Sequence, residues 1–476
     1  MTRKCSSRMS IGLLVIVVMA MAVIAGEDAR ICKVPKGEEE GEEEMEGICN
    51  GIDVAMTEET LFVDGHRLQQ QIDELSSFSD TPAPSVTRIL FTENDVAARR
   101  YVKGAMKEVG LLVREDAIGN IFGRWEGSIP GIPGVASGSH TDAIPYAGKY
   151  DGVVGVLGAI AAVRALKRIG FQPKRSIEVI MFTSEEPTRF GFGCLGSRMM
   201  ANSTNIVEIL KESFDAENVS FAEAAKEAGY LDVADELETV ALDVGRYSAF
   251  VELHIEQGPI LEKKGIPIGI VTAIAAPASL KVGFKGDGGH AGAVLMPVRN
   301  DAGLAGAELA LAVEKNVLAS GSTDTVGTTG VFKIHPGAVN SVPRESHLEI
   351  DIRDIDEKRR DKVVDEIKRS AHEIAGRRRV TLTNFEIVNQ DPPAQSGDQV
   401  VGAAIEAAEL LGLEYQTMVS RAYHDSLFMA RIAPMGMIFI PCYEGYSHRP
   451  DEFASLEDMT KGVQVLSLTL KRLSSL

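Results

Sequence analysis

The sequence predicts an α/β fold, a mostly parallel sheet covered by helices, with a smaller α+β domain inserted into it. Three observations point there. Apolar runs suited to buried strands alternate with helical patterns along most of the chain. Between roughly Gly265 and Arg379 the pattern changes to strands separated by two long helical stretches, as in a ferredoxin-like unit. The length, 476 residues of which 45% are hydrophobic, is roughly three times the ~150-residue domain prior and can fill more than one core.

Taken in order, Thr2 to Ser10 carry three basic residues, and Ile11 to Ala25 then run without a charge. That is the pattern of a signal peptide over 1–25, too short for the ~20 apolar residues of a retained transmembrane helix. The mature chain is therefore expected without a stable membrane span, in the secretory pathway and, by expectation, the lumen of the endoplasmic reticulum. The C-terminal Arg472-Leu473-Ser474-Ser475-Leu476 is no KDEL-type retrieval signal, so retention there needs another cause. The sequons at Asn202 and Asn218 are consistent with secretion and glycosylation. Residues 26–56 read as an acidic, solvated linker, since Gly37 to Glu46 hold seven glutamates. Of five cysteines, Cys5 leaves with the leader, Cys32 and Cys49 are a candidate bridge, and the spacing fits no zinc site.

The larger domain is expected over 57–264 and 380–476. Val135 to His140, Ile177 to Thr183, Phe250 to Ile255 and Met435 to Ile440 read as strands. Gly155 to Ile169, Val400 to Leu411 and Leu456 to Leu473 read as helices. The insert, placed at 265–379, offers strands at Ser279 to Gly286, Gly327 to His335 and His347 to Arg353, and helices at Ala302 to Asn316 and Lys358 to Ala375. Acidic residues outnumber basic ones 68 to 49, a net charge of −19, which argues against a nucleic-acid partner.

The chain has nine histidines, and three of them stand beside acids at or near strand ends. In Ser139-His140-Thr141-Asp142, Asp142 is placed to accept one imidazole hydrogen of His140 and aim its other nitrogen at a metal. Asp151, before a long apolar helix, reads either as an N-cap or as a carboxylate bridging two cations. Glu185-Glu186 follow a buried strand, so that one can ligate while its neighbour handles a proton; the alternative is an exposed acidic turn. His254 ends a strand in Glu252-Leu253-His254-Ile255-Glu256-Gln257-Gly258, and His448 lies in a loop before the last helix. Open α/β sheets build their sites where strands end, so these clusters are expected to converge on two divalent ions with Glu185 as the spare base. In the insert, Arg353 suits a substrate carboxylate, or else an ion pair with Asp351 or Asp354. His290 and Asn340 suit hydrogen bonds to a developing oxyanion. Gln257, Tyr423 and His424 are expected to line the remaining pocket.

Together, His140-Thr141-Asp142, Asp151-Gly152, Glu185-Glu186, His254-Ile255-Glu256-Gln257-Gly258 and His448 resemble the aminoacylase/carboxypeptidase superfamily of two-metal hydrolases, in its carbamoyl-amidohydrolase branch. The likeness covers nearly everything after Thr57. It implies His140 and His254 on one metal, Glu186 and His448 on the other, Asp151 between them, and a cis peptide at Asp151-Gly152. It implies catalysis by Glu185 as general base with Asp142 behind His140, and a homodimer through the lid, with His290 reaching the neighbouring subunit's site. The donor set suits zinc, manganese or cobalt; the resemblance implies manganese. Glu185-Glu186-Pro187-Thr188-Arg189-Phe190 and Arg421-Ala422-Tyr423-His424-Asp425-Ser426 are most similar to branch members acting on ureidoglycolate. A phenol at Tyr423 would shorten the pocket and favour that small hydroxylated ureido acid over allantoate or N-carbamoyl amino acids. A catalytically silent binding protein on the same fold is the reading from another class.

Overall fold

A computed structural model describes residues 61–203, 206–230 and 237–476. The leader, the acidic linker, the Cys32–Cys49 bridge and Thr204 of the first sequon lie outside the described residues. In chain order the first strands are β1 (Val86–Arg88), β2 (Leu112–Glu115), β3 (Ile121–Trp125), β4 (Gly134–Ser139), β5 (Ala143–Ala147), β6 (Ile177–Met181), β7 (Tyr247–Ile255) and β8 (Ile268–Ile274). They continue with β9 (Ala276–Lys285), β10 (Gly289–His290), β11 (Val326–His335), β12 (Ser341–Val342) and β13 (Glu345–Asp354). The last are β14 (Thr381–Gln390), β15 (Ala394–Gln395), β16 (Tyr415–Ser420) and β17 (Met435–Ile440).

Nine strands form the large sheet in the order β15-β8-β17-β7-β4-β6-β3-β2, with β16 beside β8. Its centre, β17-β7-β4-β6, is parallel, and β3, β2 and the β17–β8 pair are antiparallel. Parallel strands need cover on both faces, which is why β6 and β17 are buried at every residue. One face is covered by the helices Val153–Arg168, Asp398–Leu410 and Leu456–Ser475, the other by shorter segments that include Leu195–Met200 and Ser426–Met429. The last helix starts where Ser455 accepts the Asp458 amide at 3.0 Å, an N-cap before an apolar stripe.

The second sheet is antiparallel, β11-β13-β9-β14, and packs the helices Ala302–Leu318 and Glu357–Arg378 on one face. Strand β13 alternates half-buried and buried residues along its whole length, as a two-faced strand must. The order of elements is βαββαβ, and only β14 completes it. This moves the edges of the insert from the expected 265–379. β8, buried at six of its seven residues, belongs to the large sheet, and β14 to the small one, where it runs along β9 from Thr381 to Gln390. The chain enters and leaves the insert at neighbouring points, for Ala394 of β15 pairs with Ile274 of β8. No helix among the described residues is long and apolar enough to cross a membrane.

Candidate two-cation centre

The central parallel strands deliver the site. His140 and Asp142 follow the end of β4, Glu185 and Glu186 follow β6, His254 is the penultimate residue of β7, and His448 lies on the loop after β17. Every one of these ends faces the same edge because the strands run the same way. Asp151 comes from the turn that opens the helix Val153–Arg168, and its carboxylate makes no capping bond there. It is turned instead toward three histidines.

The two oxygens of Asp151 divide those partners. Oδ1 lies 3.6 Å from His140 Nε2 and 3.1 Å from His254 Nε2, while Oδ2 lies 3.2 Å from His448 Nε2. His448 Nε2 is also 3.1 Å from Glu186 Oε1. His140, Asp151 and His254 form one group, and Asp151, Glu186 and His448 a second, each with its ligand atoms within 4.8 Å of one another. This is the division the resemblance implies, with Asp151 shared. All are buried except His448, whose side chain is 45% exposed at the rim. The imidazole tautomers fit the same purpose. His140 Nδ1 bonds the Asp142 carbonyl at 3.1 Å and His254 Nδ1 the Ile255 carbonyl at 2.9 Å, which leaves each Nε2 as the inward-facing acceptor nitrogen, that of His254 taking the Gly152 amide at 3.2 Å. A third group, Glu252, His254 and His424, is a satisfied polar core. Glu252 accepts from Ser139 Oγ at 2.7 Å and from Ser426 Oγ at 2.5 Å.

The expected cis bond at Asp151-Gly152 is not found; that peptide is trans. The turn is made by Gly152 itself, at φ +65°, where a Cβ would stand 2.4 Å from the His140 ring. Asp142 does more than the sequence suggests. Its carboxylate accepts the amides of Glu185 at 3.1 Å and Glu186 at 2.9 Å, its Oδ1 lies 3.6 Å from His140 Nδ1, and its backbone carbonyl makes the shorter contact with that nitrogen at 3.1 Å. Asp142 therefore fixes the acidic turn after β6 and also faces His140 with both its carbonyl and its carboxylate.

Glu185 is buried and stands off from both groups, its Oε2 3.8 Å from His140 Nε2. Burial raises its pKa well above the usual carboxylate range; His140 opposes this, and Glu186, Asp425 and Asp142 reinforce it. Asp151 is driven well below its ordinary value, burial notwithstanding, by His140, His254 and His448. His448 is raised to about 11 by its bonds to Asp151 and Glu186. Such carboxylate and imidazole pairs hold protons that divalent cations would displace on binding. Three imidazoles and two carboxylates, with no thiolate among them, suit zinc, manganese or cobalt. The residues present fit the pair of cations.

Behind them lie groups that the sequence reading left unassigned. Glu452 Oε1 accepts the amides of Tyr150 at 2.8 Å and Asp151 at 3.0 Å and so fixes the bridging turn. Burial and the nearby Asp151 raise its carboxyl to about 7. Ser447 and Gln257 each reach Asp151 Oδ2 at 2.8 Å, which makes Gln257 a holder of the bridging carboxylate. Arg88, buried near the end of β4, bonds the Thr141 carbonyl at 2.5 Å. Glu452 sits four residues past His448, a spacing that could have drawn attention to it.

A cleft of about 1040 Å³ lies between the two sheets, lined by the centre on one side and by β9, β13 and β14 on the other. Arg353, Gln257, Tyr423 and His424 line it as expected, and His290 and Asn340 do not. Register explains the exception. Arg353 pairs with Pro277 at the hinge end of β13 and β9, Glu345 with Lys285 at the far end. The β10–β12 ribbon that holds His290 beside Ser341 follows that far end, about 27 Å from Arg353 at ~3.4 Å per residue. Arg353 grips Asp351 through Nε at 2.8 Å and Nη2 at 3.3 Å, and Nη1 reaches the Arg421 carbonyl at 3.1 Å. One N–H on each terminal nitrogen stays free to meet an anion. The Tyr423 hydroxyl is committed elsewhere, donating to Asp391 Oδ2 at 2.7 Å and accepting from Arg198 at 2.7 Å. Its side chain lines the cleft, and its oxygen is no free donor. His424 bonds Ser420 Oγ at 3.0 Å and packs 4.6 Å from the His254 ring.

A covered, mixed sheet, parallel at its centre rather than mostly parallel as the sequence suggested, with paired imidazole–carboxylate groups at its strand ends and an unligated acid beside them defines a two-cation hydrolase. Residues 136–472 match the sequence profile described as Peptidase family M20/M25/M40, and the chain belongs to that family. It is an enzyme. Over 413 residues it is 67% identical to the ureidoglycolate hydrolase of Oryza sativa subsp. japonica, covering 87% of this chain and 85% of the relative. Its identity to the N-carbamoyl-L-amino acid amidohydrolase of Geobacillus stearothermophilus is 40%, over 87% of this chain and 99% of that one. Crystal structures of AtUAH in complex with glyoxylate and with (S)-hydroxyglycine match at a TM-score of 0.80 and 66% identity, covering 87% of this chain and 98% of that one.

Proposed function

We propose that this chain hydrolyses the ureido C–N bond of ureidoglycolate, releasing ammonia and carbon dioxide and leaving an amino-hydroxy acid that collapses to glyoxylate with loss of a second ammonia. The observation that carries this reading is the buried Glu185, held beside two complete donor groups without belonging to either. The relative at 67% identity carries that activity in its name, and the structural neighbours bind the acid and aldehyde products that the reaction would yield.

A pair of divalent ions, manganese by resemblance, supplies the lowered pKa of a bound water and the polarisation of the ureido carbonyl. His140, Asp151 and His254 would hold one, and Asp151, Glu186 and His448 the other. The chain's own groups do the rest. Glu185 takes the proton of the attacking water and returns it to the leaving nitrogen. Asp142 fixes the turn that carries Glu185 and Glu186. Arg353 offers its free N–H groups to the substrate carboxylate, which selects an acid. Tyr423 limits the length of the cleft.

His290 and Asn340 suit an oxyanion in the site of a second copy, since they stand far from their own. This reading makes the protein a homodimer through the insert. Phe332 at 44%, Ile334 at 47% and Val339 at 102% relative exposure give that domain an apolar surface to cover. The basic and apolar leader assigns the chain to the secretory pathway, with the endoplasmic reticulum lumen as its residence.

The test is ammonia release by manganese-loaded protein supplied in parallel with ureidoglycolate, allantoate and N-carbamoyl amino acids. A kcat/KM highest for ureidoglycolate is expected. Preference for either other substrate would replace the proposed one while leaving the machinery intact.

A further inference from the structure

Glu185 needs a fixed carboxylate if it is to meet a water in one orientation, and its surroundings contain an unassigned group. Cys194 is fully buried, and its Sγ lies 3.2 Å from Glu185 Oε1. Oε2 is the oxygen that faces His140. The thiol is part of a built contact. The amides of Cys194, Leu195 and Gly196 bond the carbonyls of Glu185, Ser184 and Thr183 at 2.7, 2.8 and 2.8 Å, zipping the two segments together. Both turn through positive φ without glycine, at Ser184 (52°) and Cys194 (54°), a conformation kept only where neighbours enforce it. Ser197 Oγ anchors the second segment by bonding Asp425 Oδ1 at 2.5 Å and the Cys194 carbonyl at 3.2 Å.

We propose that Cys194 is a positioning residue for the base: its thiol donates to Oε1 and so presents Oε2 to the centre. Burial and the acids around it push the thiol well above its ordinary pKa, which keeps the S–H proton available to donate. A buried cysteine ordinarily serves as a small apolar filler, and that role predicts a different response to substitution. The inference rests on Glu185 as the base of the proposed reaction.

Cys194→Val removes the donor but brings a larger, β-branched side chain to a left-handed position, Cys194→Ala removes the donor without that strain, and Cys194→Ser keeps a donor on a shorter bond. All three are compared with wild type and Glu185→Gln, all manganese-loaded, for kcat and KM on ureidoglycolate, bound metal and melting temperature. The valine variant should lose about tenfold or more in kcat with KM and metal content unchanged, and serine should restore most of it. Should valine fail to fold, Cys194→Ala alone is set against serine. A valine or alanine variant turning over at the wild-type rate overturns the proposal. So does a serine variant that falls as far as valine, or a loss confined to KM. Wild-type protein inert on ureidoglycolate overturns the parent reading, and this inference with it.

Discussion

The strand ends of the large sheet and the far tip of the insert carry similar candidates, histidines and polar residues in short glycine-containing turns, yet they meet different fates. At the strand ends His140, Asp151, Glu186, His254 and His448 converge within one chain and are fixed by neighbours, down to the tautomer of two imidazoles. At the tip, His290 and Asn340 are exposed and meet nothing of the centre. Parallel strands that share a direction bring their ends together whatever the spacing in sequence. A hairpin ribbon at the end of a long antiparallel sheet is carried away from the hinge by the length of that sheet. The cation-holding half of the site is thus preorganised in one chain, and under the proposed dimer the oxyanion-binding half would come from another copy.

The strongest way to break this division is Glu185→Gln. In the proposed centre the cations would be held by other groups, so metal content should stay at wild type while turnover falls about 10²- to 10⁴-fold, the range for a lost general base. An emptied centre would make Glu185 a ligand and merge the two roles. Next comes Gly152→Ala, where both the positive φ and a Cβ placed 2.4 Å from the His140 ring oppose the substitution. Displacing that imidazole should weaken metal binding about 10- to 100-fold, read by metal analysis after dialysis against a chelator. Unchanged affinity would mean that the turn is less constrained than its contacts indicate.

The opposite half is probed by His290→Ala, expected to lose turnover without losing metal. Co-expressed with Glu185→Gln it should give hybrid dimers with one intact site, and hence activity that neither parent has. A dimer without rescue would place His290 outside catalysis. Arg353→Ala, on the hinge side of the same sheet, should chiefly raise KM within its own chain and gain nothing from such hybrids.

These differences follow what the sequence could express. The runs that became β4, β6, β7 and β17 were legible because parallel strands buried on both faces are predominantly apolar, unbroken in β17 and interrupted only by single polar residues such as Ser137, Glu178 and Glu252 in the others, with candidate ligands at or beyond the end of each run. Strands β2 and β3 were not legible, being short and partly exposed. The exit from the insert was misplaced because β14 pairs with β9, and pairing is no property of a local pattern. Asp142 was legible as the partner of the histidine two residues away, but the amides 43 and 44 residues further on that its carboxylate also accepts were not. Cys194 and Glu452 support the centre through contacts of the same non-local kind.

The smallest effect is expected at Tyr423, and it bears on how the cleft selects its substrate. Two ways of favouring a short acid are open to this side chain. Its ring can limit length, or its hydroxyl can bond the substrate. The hydroxyl already lies 2.7 Å from both Asp391 and Arg198, and Asp391 also receives Arg431 at 2.9 Å, so the oxygen belongs to a charged network at the exit from the insert. Tyr423→Phe keeps the ring and deletes only those two bonds. It should cost about 0.5–1.5 kcal/mol of stability, visible as a lower melting temperature, and leave KM for ureidoglycolate within roughly threefold. Tyr423→Gly should instead raise activity on allantoate, because it opens the length that the ring closes. A phenylalanine variant with a KM at least tenfold higher would show that the hydroxyl leaves Asp391 for the substrate when the domains approach, which would put recognition in the bond rather than the shape.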